Sequence, residues 1–419
     1  MGRPVELLVP AGSPEVLRIA VLYGADAVYI GGEAFSLRAK AKNFSTEEME
    51  AGIRFAHDHG VKVYVTANIF AHNADLKEAG DYFEELEGLR PDAVIISDPG
   101  MVSLFREKCP GIDLHISTQA NNTNYLTFRF WHGQGAKRVV SARELSLSEL
   151  KEIRENIPGD MEIETFVHGS MCIAYSGRCL MSSFLTSRSA NRGECTHPCR
   201  WKYSVVEETR PSEYMPVFEN ERGTFIFNSR DLCMIEHIPE LMEAGIDSFK
   251  IEGRMKTALY VAVTARTYRK AIDDYLTSPA LYKENMGWYV DEISKCACRS
   301  YTTGFFFGKP DARSFEDGTY ISGYVFLGVV SEKDGKRAVI EQKNRFFKGD
   351  RIEIMKPDGR NIEARVLSIT DEEGNLMESA PHPKQKLFLE LDRDCEVFDI
   401  LRMSKRQEEL SGTGSGREK

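Results

Sequence analysis

The stretch "ETFVHGSMCIAYSGRCLMSSFLTSRSANRGECTHPCRWKY" (residues 164–203) begins inside a β-rich apolar run, "IETFV" at 163–167, and then holds four of the chain's nine cysteines. Where that run falls in the order of strands decides the fold. Six similar runs precede it: "VELLV" (5–9), "AVYIG" (27–31), "KVYVT" (62–66), "AVIIS" (93–97), "LHIST" (114–118) and "RVVSA" (138–142). One follows, "SFKIE" (248–252). Between them lie segments with apolar residues at three- and four-residue spacing, such as "STEEMEAGIRFAHDHG", "SLSELKEIRENIPG" and "KTALYVAVTARTYRKAIDDYL". The first opens with Ser45 and Glu48 in capping-box positions. Eight strands apolar on both faces and alternating with helices predict an α/β fold, a (β/α)8 TIM-like barrel. A doubly wound open sheet is the alternative, but the turn after the first strand, "VPAGSPEV", is a feeble version of a glycine-rich phosphate loop.

The cysteine stretch then follows strand seven. The connection to strand eight, about 168–247, far exceeds an ordinary βα loop. Active sites of such barrels form at the carboxyl ends of the strands, so this insertion is expected to cover the barrel mouth. After residue 276 the pattern changes to alternating segments such as "GYVFLGVVSE" and "QKLFLELD", with turns at "KDGK", "PDG" and "DEEGN". The expected organisation is a barrel over 1–276, a linker over 277–319, a small antiparallel β-barrel over 320–404 and a disordered tail over 405–419.

The chain's 419 residues allow a large core that needs no disulfides. The start, "MGRPVELLVPAGSPEVL", has no signal-peptide pattern, and no apolar run reaches membrane-spanning length. A cytoplasmic protein without a membrane partner is expected, with its thiols reduced. A net charge of −10 argues against non-specific coating of nucleic acid. The cysteine stretch is a local exception: Arg178, Arg188, Arg192, Arg200 and Lys202 face only Glu194. It reads equally as a solvated loop or as a phosphate-binding surface.

The cysteines are spaced Cys172-x6-Cys179-x15-Cys195-x3-Cys199, with Cys233 following in "NSRDLC". Zinc favours short C-x2–4-C knuckles, and only Cys195 and Cys199 offer one. An iron–sulfur cluster tolerates wider spacing. Spacing alone leaves both open, along with unligated or redox thiols. Other candidates sit at strand ends: Thr118, Gln119 and Asn121; Arg143 and Glu144; Glu164 and His168; and Glu252, Arg254 and Lys256. Arg143, Arg254 and Lys256 together would favour a small substrate bearing carboxylates, although the acid–base neighbours among these residues read as well as rim ion pairs. No HExxH, GxSxG, P-loop or GxGxxG motif is present. A thiol protease with His168 as base stays open in principle, but it leaves the other cysteines unexplained.

These same residues carry a family resemblance. "ETFVHGSMCIAYSGRCLMSS", "GECTHPCRWKY", "NSRDLC", "KIEGRMK" and the opening "ELLVPAGSPEVLRIAVLYGADAVYIGG" resemble the ordered motifs of the peptidase U32 family, over residues 4–275. The β-domain resembles the one appended to longer members. The family's name implies a peptidase or collagenase. Its hydroxylating members imply instead a tRNA-modifying enzyme that makes 5-hydroxyuridine at the wobble position using prephenate. By that resemblance a [4Fe–4S] cluster would be held by Cys172, Cys179, Cys195 and Cys233, with Cys199 as an extra thiol. Glu164, His168 and Glu252 would be candidate catalytic groups. Arg38, Arg143 and Arg254 would bind the dicarboxylate prephenate, and Arg178, Arg188, Arg192, Arg200 and Lys202 would contact tRNA. A second U32 protein is a further expected partner. A zinc-structured RNA-binding module without catalysis is the remaining alternative.

Overall fold

The computed structural model describes residues 5–36, 43–172, 175, 179–198, 205–206, 214–215, 218–220, 223–225, 230–296, 299–308 and 323–405. Strands β1 (Glu6–Pro10), β2 (Ala27–Gly31), β3 (Lys62–Ala67), β4 (Ala93–Ile96), β5 (Asp113–Ile116), β6 (Ala136–Val140) and β7 (Glu162–Ser170) pair in sequence order, all parallel. Helices α1 (Pro14–Leu22), α2 (Thr46–Asp58), α3 (Leu76–Leu89), α4 (Pro99–Lys108), α5 (Tyr125–Gly133) and α6 (Leu147–Glu155) connect them. Both faces of these strands are apolar because one meets the helices and the other meets the barrel's own axis. Leu8, Ala27, Tyr29, Tyr64, Ala93 and Ile95 form a separate cluster on the axial side. Helix starts follow side-chain caps; Ser45 and Ser146 each form a full capping box.

The insertion contains α7 (Met181–Thr186), the short pairs β8 (Val205–Val206) with β9 (Tyr214–Met215) and β10 (Phe218–Asn220) with β11 (Gly223–Phe225), and β12 (Asp231–Cys233). β12 returns antiparallel to the upper end of β7. After α8 (Ile238–Glu243), strand β13 (Ser248–Ile251) pairs with both β7 and β1 and closes an eight-stranded parallel barrel.

Helix α9 (Ala258–Thr277) ends the barrel. The expected linker is folded over much of its length: α10 (Pro279–Glu284), α11 (Met286–Ser294) and β14 (Tyr301–Thr302), which extends the sheet beside β12. Tyr282, Tyr289 and Ile293 are buried at helical spacing, an apolar stripe that holds these helices against the barrel.

The C-terminal unit comprises β15 (Tyr324–Asp334), β16 (Arg337–Glu341), β17 (Phe346–Phe347), β18 (Arg351–Met355), β19 (Asn361–Thr370), β20 (Leu376–Met377), β21 (Ser379–Ala380), β22 (Lys386–Leu391) and β23 (Ile400–Ser404). Its main sheet runs β18-β23-β15-β16-β22-β19-β20, and the additional β18–β19 pairing closes it into a small antiparallel barrel with its own core. The two barrels are joined through buried charge. Arg402 and Glu292 are fully buried and lie 2.7 Å apart, while Arg266 donates to Glu292 at 2.7 Å and to the Lys356 carbonyl at 2.9 Å. Tyr23, at the end of α1, donates to the Met355 carbonyl at 2.8 Å. The expected disordered tail lies outside the described residues except for Lys405. Among the described residues no helix is long and apolar enough to cross a membrane.

Candidate functional site at the barrel mouth

β7 runs to Ser170, further than its apolar run suggests, because β12 supplies a partner for its last residues. Gly169, at φ +107°, makes this possible: a Cβ there would stand 2.6 Å from the Glu252 carbonyl. Arg143 follows β6 and lies flat over Phe166 of β7, its guanidinium 3.8 Å from the ring centroid. It donates to the Ser170 carbonyl at 2.8 Å and to Glu252 Oε2 at 3.1 Å. Its buried Nε–H has no hydrogen-bond partner among the described residues. Arg254 donates to Ser36 Oγ at 2.6 Å and Thr66 Oγ1 at 3.0 Å, and is itself buried. Gly31 is needed for this approach, since a Cβ would collide with the Arg254 guanidinium and the Ser36 hydroxyl. Gln119, just past β5, is also buried, and its Oε1 has no hydrogen-bond partner among the described residues. Arg143, Arg254 and Gln119 thus stand at strand ends. The mouth holds two guanidinium groups, a suitable lining for a small anion.

Glu164 is placed differently. It lies within the barrel, fully buried, accepting from Lys250 at 2.7 Å and from Arg138 at 3.2 Å. Arg138 also contacts Glu6 and Glu162. Burial would raise the Glu6 carboxyl, but Arg138 outweighs it and holds the group below the ordinary range. Glu164 is therefore part of an internal charge cluster and has no exposed face at the mouth.

His168 sits behind the mouth, caged by Tyr260, Tyr268 and Tyr301 with ring centroids 5.5–5.9 Å away. Its Nδ1 is 3.4 Å from the Tyr268 hydroxyl, and its Nε2 has no hydrogen-bond partner among the described residues. Burial lowers its pKa to about 4, with Lys256 adding and Asp231 opposing. The imidazole is neutral at physiological pH. Asp231 is held by Arg299 through Nε at 3.1 Å and Nη2 at 2.6 Å, which fixes β12 to the segment entering β14.

The insertion lies on the mouth rim, as its position after strand seven requires. Phe70 N donates to the Asn191 carbonyl at 3.2 Å, and Arg192 grips Asp75 at 2.6 and 2.9 Å. Hydrogen bonds from Arg192 lower the Asp75 pKa to about 2. The Arg192 guanidinium is thus engaged within the protein, whereas Arg188 is exposed. Arg38, Arg178, Cys199, Arg200 and Lys202 lie outside the described residues.

Residues 12–316 match peptidase family U32, and residues 322–402 match the peptidase family U32 C-terminal domain. The chain belongs to peptidase family U32. It is 41% identical over 404 residues to "tRNA hydroxylation protein P1" of Bacillus subtilis (strain 168), covering 96% of this chain and 95% of that one. It is 40% identical over 441 residues to "tRNA hydroxylation protein P" of Escherichia coli (strain K12), covering 95% and 96%. A 23S rRNA 5-hydroxycytidine synthase of the same organism is 37% identical over 269 residues, which cover 64% of this chain and 39% of that one.

In this U32 chain Cys172 is exposed, Cys179, Cys195 and Cys233 are half-buried, and none is in a disulfide. All four lie on the insertion beyond β7 or on β12. Cys195 Sγ accepts from the His197 amide at 3.4 Å, and Cys233 Sγ is 3.8 Å from the Tyr268 hydroxyl. Four thiols outside any disulfide suit a soft metal or an iron–sulfur cluster in donor chemistry. Their arrangement does not yet match it: among the described residues no three His, Cys, Asp or Glu side chains are gathered to hold a metal ion. The residues that sequence reasoning missed are Phe166, Ser36, Thr66, Asp75 and the Tyr260–Tyr268 pair. Phe166, Thr66, Tyr260 and Tyr268 are ordinary strand or helix residues, and Ser36 and Asp75 lie in connections; the role of each comes only from what the fold places beside it.

Proposed function

We propose that this U32 chain is an RNA-hydroxylating enzyme acting on tRNA, converting wobble uridine to 5-hydroxyuridine with prephenate as co-substrate. The observation that carries this reading is the correspondence, across both barrels, with proteins named for tRNA hydroxylation. The mouth geometry supports the co-substrate. Arg143 and Arg254 provide two guanidinium groups, and the Arg143 Nε–H, without a hydrogen-bond partner among the described residues, would be open to a carboxylate oxygen. Phe166 holds the Arg143 plane flat, so little rotamer freedom is lost on binding. Glu252 accepts from Arg143 and would hold it in register until a substrate carboxylate arrives. Arg188, exposed on the rim, is available to RNA phosphate.

The cofactor part of the proposal is a [4Fe–4S] cluster on Cys172, Cys179, Cys195 and Cys233, which would supply electron transfer. It requires those thiols to converge from the separate positions seen here, and iron and acid-labile sulfide analysis of anaerobically purified protein tests it. Zinc without iron would move the reading toward the RNA-binding module. The peptidase alternative has less support: His168 Nδ1 faces the Tyr268 hydroxyl in a buried cage, away from solvent and from an incoming peptide. The test of the main reading is nucleoside mass spectrometry of bulk tRNA from a strain lacking this gene. Loss of 5-hydroxyuridine derivatives is expected, and an unchanged nucleoside profile would overturn the reading.

A further inference from the structure

The C-terminal barrel carries a basic and aromatic patch that the mouth chemistry does not use. Arg351 of β18 and Arg365 of β19 stand directly opposite each other in the antiparallel ladder, and both are exposed. Like charges facing across a strand pair destabilise a sheet. Neither arginine has a carboxylate within ion-pair distance among the described residues, so none of those residues relieves the repulsion through an ion pair. The turn over 347–350 packs beside them: Gly349 N donates to the Val366 carbonyl at 2.8 Å, and Val366 N donates to the Asp350 carbonyl at 3.1 Å. That turn presents Phe347, 42% exposed, with the Arg345 guanidinium 4.9 Å from its ring centroid. Leu367, 47% exposed, lies two residues beyond Arg365, at the irregularity between Val366 and Ser368. Lys348 adds a cation that is 3.5 Å from the rim residue Glu378. Of the nearby acids, Asp350 accepts from the Phe347 amide, Asp392 from the Arg365 amide and Glu353 from Arg402, which leaves the exposed Glu363, two residues before Arg365, as the acid on this face.

The segment leading into the patch touches the large barrel. Lys343, two residues before Arg345, reaches Glu15 at 3.9 Å, in the first turn of α1 on the mouth side of the large barrel. The buried Arg402–Glu292–Arg266 junction holds the small barrel in that position.

We propose that Arg345, Phe347, Arg351 and Arg365 form a second RNA-docking surface, which grips the phosphate backbone of the tRNA substrate and stacks one exposed base on Phe347. The inference rests on the RNA-modifying reading above. Its physical basis is charge complementarity: a phosphate between Arg351 and Arg365 would convert a repulsive pair into a bridged one. An aromatic ring flanked by cations is the usual platform for an unpaired base.

The experiment is equilibrium binding of bulk tRNA to the full-length protein across a salt series. The triple variant Arg345→Ala, Arg351→Ala, Arg365→Ala should bind at least tenfold more weakly at 0.1 M salt. The slope of log affinity against log salt should be shallower by about 2, each lost phosphate contact contributing about 0.7–0.9. Phe347→Ala should lose about fivefold or more with an unchanged slope. Arg365→Gln alone should weaken binding while its thermal midpoint stays level or rises, because the like-charge pair is gone; this separates docking from folding. A triple variant with wild-type affinity and slope overturns the docking surface. So does a variant that loses heparin binding yet keeps tRNA binding, which would assign the patch to a different polyanion. If the wild-type protein itself binds no tRNA, the RNA-modifying reading fails first.

Discussion

Arg143 shows how much of the site depends on a neighbour that sequence does not reveal. Its position past strand six marks it as a mouth residue, but its fixed plane comes from Phe166, an apolar strand residue indistinguishable in sequence from core. Arg143→Ala removes charge-assisted bonds worth about 1.5–3 kcal/mol and should lower kcat/KM for the dicarboxylate by about 10- to 100-fold, read from its concentration dependence. Gly31→Ala makes a separate point. It adds one carbon where the Arg254 guanidinium passes, so the KM for the same co-substrate should rise while the affinity for tRNA stays unchanged. Glu164 teaches the opposite lesson. A strand-end acid near a histidine reads as a catalyst, yet the strand's alternation turns Glu164 into the barrel, against Lys250 and Arg138.

At the scale of elements, the eight barrel strands were legible because each is an unbroken apolar run bounded by polar turns. The structure places each within two residues of its expected start, with only β7 markedly longer. The extension of β7 was not legible, since it depends on β12 returning from about sixty residues later. Helices α10 and α11 look like linker in the sequence for a similar reason: their stripe of Tyr282, Tyr289 and Ile293 is short and broken by polar residues. β12 carries the cysteine proposed as the fourth thiol, and its only salt bridge among those described is Asp231 to Arg299, with both side chains at most 5% exposed. Asp231→Ala takes this carboxylate from a buried guanidinium, a change that costs about 3–5 kcal/mol. The expected outcome is a lower unfolding midpoint and faster alkylation of Cys233 than of Cys172 relative to wild type, read by mass spectrometry. Equal changes at both thiols would mean general unfolding, not release of β12.

The whole molecule is two barrels tied by a buried charge junction, and that junction sets a pH dependence. Burial alone would raise the Glu292 carboxyl, but Arg402, Arg266 and Lys295 outweigh it and lower its pKa to about 2 from an ordinary 4.5. A depressed carboxylate pKa contributes stability that is fully present above about pH 4.5 and is lost as pH falls toward 2. Acid unfolding in that window should be steeper for the wild type than for Glu292→Gln. At neutral pH the variant should be less stable by about 3–5 kcal/mol, since two guanidinium groups lose their shared partner.

The central claim, that this chain hydroxylates tRNA, is tested most directly by gain of function. The chain is expressed in a bacterial strain from which the resident tRNA hydroxylation proteins have been removed, and bulk tRNA nucleosides are measured by mass spectrometry. The account predicts that 5-hydroxyuridine derivatives return with the wild-type chain and stay absent with Arg143→Ala. A wild-type chain that is present and folded yet restores no 5-hydroxyuridine derivative would contradict it.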